Sequence, residues 1–296
     1  MDTRYVRPRL DAAHLLIDHG EAAFIDTGTA ASIPHLLGAL AALNLSPEAV
    51  RWVLLTHIHL DHAGGAGALM DALPAATLVV HPRGARHMAD PSRLIAGSIA
   101  VYGEPEFKRL YGEIRPIDPA RIRSTTDGER LSVGSRALEF IHTPGHARHH
   151  HCIVDLDGDA VFTGDTFGLS YQVFDVNGAP FIFPTTTPIH FDPDAAHASI
   201  DRICAYNTSA AYLTHYSRVT DLPRLAADLH SDLDVFAALT LAAADVDALA
   251  AGIAAHLAAR LVAHGYTGPA AERDLWLSLD VQLNAQGLWF WREHRR

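Results

Sequence analysis

Residues 56–65 read THIHLDHAGG and place three imidazoles, His57, His59 and His62, and the Asp61 carboxylate within six positions. Such a cluster points to metal. Residues 51–55 before it are rich enough in Val and Leu to predict a buried strand, and residues 66–73 after it predict a helix. The candidate ligands therefore sit at a strand end. Side chains alternate along an extended segment, so His57 and His59 project to one side, whereas Asp61 and His62 fall where the chain turns into the helix. Two neighbouring metals can be served. Gly64 and Gly65 let the backbone turn tightly and leave room above the site for a substrate. The chain has 20 histidines, so any one of them could be incidental, but chance does not account for the whole pattern.

With 296 residues the chain exceeds the usual span of about 100–200 per domain and has room for one large domain with an appended piece. Apolar residues at 49% and charged residues at 19% fit an ordinary globular protein. The formal charge of −11 argues against a nucleic-acid partner, which normally needs a basic surface. Cys152 and Cys204 are the only cysteines, too few for a disulfide framework and without metal-type spacing, and neither is a candidate nucleophile. Residues 1–10 carry Arg4, Arg7 and Arg9 but no apolar segment of a secretory signal, and no run of 18 uninterrupted apolar residues occurs. The expectation is a cytoplasmic protein with a small-molecule substrate and neither a membrane nor a nucleic-acid partner.

Taken in order, residues 14–18 and 22–25 predict a hairpin that ends in Asp26-Thr27-Gly28, where an aspartate commonly serves as a turn-maker. Residues 33–43 predict a helix with Pro34 in its first turn. After a strand over 76–80, His81 and His87 are expected in loop or surface positions. Residues 92–111, interrupted by Gly97 and Gly103, are expected to form a lid. Strands over 130–133 and 138–142 lead into Thr143-Pro144-Gly145-His146, a sharp turn that displays His146. His149, His150 and His151 follow at once and are read as core, supporting or surface residues rather than ligands. A strand over 160–163 ends in Gly164-Asp165-Thr166. The loop 167–191 is too apolar for a linker, with Tyr171, Phe174, Phe181 and Phe183 and the threonines Thr185, Thr186 and Thr187. It is read as part of a substrate pocket or as an oligomer contact, which leaves a homo-oligomer open. Asp192 or Asp194 is expected to cap a helix over 195–204. A strand over 210–213 leads to Thr214-His215-Tyr216. Beyond residue 222 the Ala- and Leu-rich periodicity predicts helices only. The Trp289, Phe290, Trp291 group is expected to pack on the main domain or a sister subunit.

The motif H-x-H-x-D-H, followed in order by His146, Asp165 and His215, resembles the signature of the metallo-β-lactamase superfamily. The resemblance covers about residues 26–216. It implies an α/β fold, the αβ/βα four-layer sandwich of two mostly antiparallel sheets, over residues 1–222, with a C-terminal helical extension over 223–296. It implies one metal set of His57, His59 and His146 and a second of Asp61, His62 and His215. Asp165 would be shared between them and Asp26 would support the metal loop from behind. The implied cofactors are two divalent ions, zinc first, with iron and manganese also compatible. A hydroxide bridging them would attack an ester, thioester or lactone carbonyl with no protein nucleophile, with Asp61 and Asp165 as the catalytic carboxylates. The nearest-looking groups are glyoxalase II-like thioesterases and lactonases. The helical tail sits where glyoxalase II carries its C-terminal domain, but it lacks a clear basic cluster for glutathione. Tyr171 stands as a counterpart to the tyrosine that lactonases place near the bridging aspartate, and Tyr171, Phe174 and Tyr216 are the candidate pocket residues. Two alternatives remain: a persulfide dioxygenase-like enzyme with one iron on His57, His146 and Asp165, and a non-catalytic metal-binding protein.

Overall fold

A computed structural model describes residues 1–186 and 189–295, so Thr187, within the expected 167–191 loop, lies outside the described residues together with Pro188. The first half runs β1 (His14–Asp18), β2 (Glu21–Ile25), α1 (Ile33–Ala42), β3 (Val50–Leu54), α2 (Leu60–Ala63), α3 (Ala66–Ala72) and β4 (Thr77–Val80). It continues through α4 (Pro82–Ala89), α5 (Ser92–Tyr102), α6 (Glu104–Tyr111) and β5 (Ile122–Ser124). The second half runs β6 (Glu129–Val133), β7 (Arg136–His142), β8 (His151–Asp155), β9 (Ala160–Gly164), α7 (Pro193–Cys204), β10 (Ala210–Leu213) and β11 (Ser217–Val219). Three helices follow: α8 (Leu222–Ala242), α9 (Val246–His264) and α10 (Ala270–His294).

Two sheets result, one ordered β1-β2-β3-β4-β5 and the other β11-β10-β9-β8-β7-β6. Alternation along the strands explains why their sequences read as continuous apolar runs. In β2, Ala22 and Phe24 face the cluster under α1 and α3, whereas Ala23 and Ile25 face the space between the sheets. In β8, Ile153 points into that same space, and Cys152 and Val154 point to the helices on the far side. Helices thus cover both outer faces, which is the αβ/βα sandwich. The expectation of mostly antiparallel pairing holds for the second sheet only. In the first, β2, β3, β4 and β5 pair in parallel, because the intervening helices return the chain to the same end each time.

Local chemistry sets several boundaries. Asp192 caps α7 by accepting from the Ala195 amide, leaving Asp194 in the first turn. The expected lid is two helices broken at Gly103 (φ 77°); α5 buries none of its residues, whereas α6 buries Phe107 and Tyr111. His81 lies in the loop between β4 and α4 as expected but is not a surface residue: it is buried, its Nδ1 accepts from the Arg83 amide at 3.1 Å, and its ring lies 4.2 Å from that of His142, tilted by 45°. Cys152 is buried with its thiol pushed up to about 12 by burial, and both cysteines are free.

The C-terminal helices share one apolar cluster with β8, β9 and the 167–191 loop, in which Trp289 and Trp291 are partly buried. Among the described residues, α9 alone has the length and composition to cross a membrane, and in this fold Leu249, Ile253, Leu257 and Leu261 are buried in that cluster. Phe174 is fully buried between Phe181 and Tyr266, which corrects its reading as a pocket residue: the loop uses its aromatic rings to dock the helices. The fixing point is Asn284 on α10. Its Oδ1 accepts from the Thr186 amide at 2.6 Å, and its Nδ2 donates to the Pro184 carbonyl at 3.2 Å. Asn284→Ala would strand a buried amide and is expected to lower stability by about 1–3 kcal/mol, read as a lower denaturation midpoint at unchanged slope.

Candidate metal centre

The site forms where strand ends of both sheets meet. Past β3, the extended Thr56 to His59 segment presents His57 and His59, and the single turn α2 then presents Asp61 and His62. From the second sheet, β7 leads to the Thr143-Pro144-Gly145 turn before His146. Gly145 has φ 129°, and a Cβ there would lie 2.5 Å from the Ala196 backbone of α7. Gly164 ends β9 with φ 50°, where a Cβ would press 2.6 Å from both His150 Nε2 and Thr56 Oγ1, and it hands the chain to Asp165. His215 follows β10.

These residues converge as two groups, His57, His59, His146 and Asp165, and Asp61, His62 and His215, with the donor atoms of each group within 4.8 Å of one another. His59 Nδ1 lies 2.8 Å from His57 Nε2 and 3.1 Å from His146 Nε2. Asp165 spans both groups. Its Oδ2 is 3.3 Å from His146 Nε2 and 3.9 Å from His57 Nε2, whereas its Oδ1 is 3.2 Å from His62 Nε2 and 3.6 Å from His215 Nε2. Asp61 Oδ2 closes the second group, 3.4 Å from His215 and 3.6 Å from His62.

The outward ring nitrogens are held in turn. His62 Nδ1 bonds the Asp26 carboxylate at 2.9 Å, His215 Nδ1 the Leu10 carbonyl at 2.9 Å, and His146 Nδ1 the Thr185 carbonyl at 3.2 Å. Carbonyl and carboxylate acceptors require N–H at Nδ1, so the Nε2 lone pairs face inward. His62 Nε2 and Asp165 Oδ1 are buried without a hydrogen bond, their 3.2 Å approach being misaligned. Lone pairs crowded on lone pairs, with orphaned buried acceptors, fit divalent cations at both groups.

Electrostatics separate the two groups. Burial pushes His57 well below the ordinary histidine value and, with His146 adding to it, pushes His59 down to about 3, so these rings are neutral and ready to ligate. Burial also works to lower His62, but Asp165, Asp61 and Asp26 hold it well above the ordinary value. His215 is raised to about 10, against burial, chiefly by Asp165. Burial opposes ionisation of Asp165 as well, yet His62, His146 and His215 hold it well below the carboxylate range. In the second group a cation must therefore displace protons.

Several supporting contacts carried no reading in the sequence, although His150 itself was expected among core, supporting or surface residues. The carbonyls of Leu10 and Thr185 leave no side-chain signal. Thr56 and Thr214, each one residue before a ligand, donate hydroxyls to Asp26 at 2.8 and 3.0 Å, and that recurrence was a usable sign. His150 Nε2 accepts from the Asp165 amide at 3.2 Å. Tyr5 and Tyr111 pair hydroxyl to hydroxyl at 3.2 Å beside Asp61; burial, together with that carboxylate, pushes both well up, so they stay protonated. Of the candidate pocket residues, Tyr171 is 2% exposed and donates to Asp280 Oδ2 at 3.0 Å, so its hydroxyl is engaged away from Asp165. Tyr216 is half-buried, with its amide on the Ser170 carbonyl.

A family model described as the metallo-β-lactamase superfamily matches residues 8–215. The chain is similar to metallo-β-lactamase fold-containing protein ST1585 of Sulfurisphaera tokodaii, 29% identical over 47% of this chain and 50% of that protein. The solved structure of ST1585 aligns with a TM-score of 0.65 at 21% identity, covering 96% of this chain and 93% of that one, a likeness of fold. The acyl-coenzyme A thioesterase MBLAC2 of Homo sapiens is 29% identical over 48% of this chain and 52% of its own length. The atrochrysone carboxyl ACP thioesterase of Aspergillus fumigatus is 30% identical over 52% and 36% respectively. The chain thus spans about half, or less, of the length of these three relatives.

Two outcomes are expected. Asp165→Ala should empty both groups in elemental analysis, whereas His150→Ala should keep the metal count while weakening affinity by about 10–100-fold. Cation binding should release protons, measurable by titration calorimetry in buffers of different ionisation heat. It should also weaken as pH falls below about 10, the value to which His215 is raised, because protons then compete with the cation for His215 and His62.

Proposed function

We propose that this chain, which belongs to the metallo-β-lactamase superfamily, is a binuclear metal-dependent hydrolase of a small acyl substrate, with thioesters the first class to test. The observation that carries this reading is Asp165, whose two oxygens face two separate groups of imidazoles. A pair of divalent ions supplies a Lewis acid for the acyl carbonyl and brings the pKa of bound water from about 15.7 to about 7. His57, His59 and His146 would hold one ion as neutral ligands, and Asp61, His62 and His215 the other. The Asp61 side chain is 22% exposed against 6% for Asp165, so Asp61 is the carboxylate that can pass a proton outward. Asp26 keeps the His62 ring oriented. The preference for thioesters rests on the two thioesterase relatives, and that for zinc on the histidine-rich first group. Nothing in the charge balance of −11 favours a nucleic-acid partner, and we extend the proposal to a freely diffusing substrate.

The test is elemental analysis of protein purified without added metal, followed by a panel of esters, thioesters and lactones. Two ions per chain with turnover on the panel is the expected result. Asp61→Asn should then lower kcat by about 100-fold or more. One iron per chain with oxygen uptake on a persulfide would replace this reading with the dioxygenase. Two ions without turnover would leave a metal-binding protein.

A further inference from the structure

Beside the metal centre is a cavity of about 400 Å³ lined by Arg83, Arg86, Arg148, His87, His149 and His190, together with Pro82. In a chain with 34 acidic and 23 basic residues, a concavity with three guanidinium groups and no carboxylate on its wall is against the trend. Among the described residues none of the three arginines is paired with a carboxylate; Arg86 has only a 3.2 Å hydrogen bond to His87. The adjoining 740 Å³ trough, which shares Arg148 and His190, contains Asp192, Asp194 and Asp234, so the acid-free stretch is local.

The cavity wall carries an unsatisfied group. His149 is 7% exposed, and its Nδ1 is buried without a partner. Its ring lies 5.2 Å from that of His59 on one side and 5.3 Å from that of His190 on the other, so one imidazole separates the metal ligand from the cavity. Arg83 and Arg148 line the same cavity as His190, whose ring is lowered first by burial and then by Arg148, His146 and Arg83. Planar guanidinium forks match phosphate and carboxylate oxygens in pairs.

We propose that this cavity is an anion subsite that takes a phosphate- or carboxylate-bearing end of the acyl substrate while the acyl carbon lies over His59. The location relative to the acyl carbon rests on the hydrolase reading; the anion site itself does not. The site would select thioesters with a charged carrier over neutral ones of the same acyl group.

The experiment compares butyryl-coenzyme A, S-butyryl-glutathione and neutral S-butyryl-N-acetylcysteamine on wild type and on Arg83→Ala/Arg148→Ala. It also measures binding of adenosine 3′,5′-bisphosphate and S-methylglutathione to both proteins by calorimetry. The double variant should raise KM about tenfold or more for a charged thioester at nearly constant kcat, with the neutral thioester as reference. A shift confined to the coenzyme A substrate identifies phosphate as the bound group, and a shift confined to glutathione identifies carboxylate. Equal effects on all three substrates, or none, overturn the subsite while leaving the hydrolase intact. If no thioester is turned over, the thioester preference fails, the hydrolase reading is decided by the ester and lactone panel, and calorimetry decides the subsite alone: it stands if the wild type binds an anion that the double variant does not, and falls otherwise.

Discussion

A single buried charge organises this molecule. Asp26, 1% exposed at the end of β2, accepts from the Thr56 amide and hydroxyl past β3, from His62 Nδ1 on α2, and from the Thr214 hydroxyl past β10. An isolated carboxylate in that position would be costly, and each donor that relieves it comes from a different strand end or turn. The two sheets are thereby tied at one edge, and the loops that carry the two candidate metal groups are suspended from the tie. Ligand placement is a consequence of satisfying Asp26.

Much of this arrangement was legible in the sequence, for reasons specific to each residue. The Thr-Pro-Gly turn made His146 stand out from His149, His150 and His151, and the structure brings His146 into the ligand cluster while His150 braces Asp165 from its amide. Residue pattern also exposed the continuous apolar strands, since both their faces are buried. Strand direction was not legible: whether β4 runs with or against β3 depends on where α2 and α3 return the chain, a tertiary property. His81 shows the same limit. A histidine before proline reads as loop, and it does lie between β4 and α4, but its burial comes from His142 and His151 of the other sheet, a contact that the sequence does not place.

The apolar loop after Asp165 shows how composition can be read correctly and its purpose missed. Its aromatic residues suggested a substrate wall, and Tyr171 invited comparison with a catalytic tyrosine. In the fold they form the seam between the two-sheet sandwich and the helices α8 to α10, with Arg260 bonded both to the Ile182 carbonyl and to the fully buried Asp232. An arginine that could have been counted toward anion binding in the helical tail is thus engaged structurally. The unpaired guanidinium groups lie on the other side, around α4 and the His146 turn.

The hold of Asn284 on Thr186 reaches past packing. The residue before it, Thr185, supplies the carbonyl that orients His146, so α10 is two hydrogen bonds from the His146 ring. During synthesis the chain emerges N-terminus first, and the motif around His57 leaves the ribosome more than 200 residues before Asn284. Full preorganisation of the group formed by His57, His59, His146 and Asp165 must therefore wait until Asn284 has been synthesised. Until then the carbonyl that orients His146 is held with one anchor fewer.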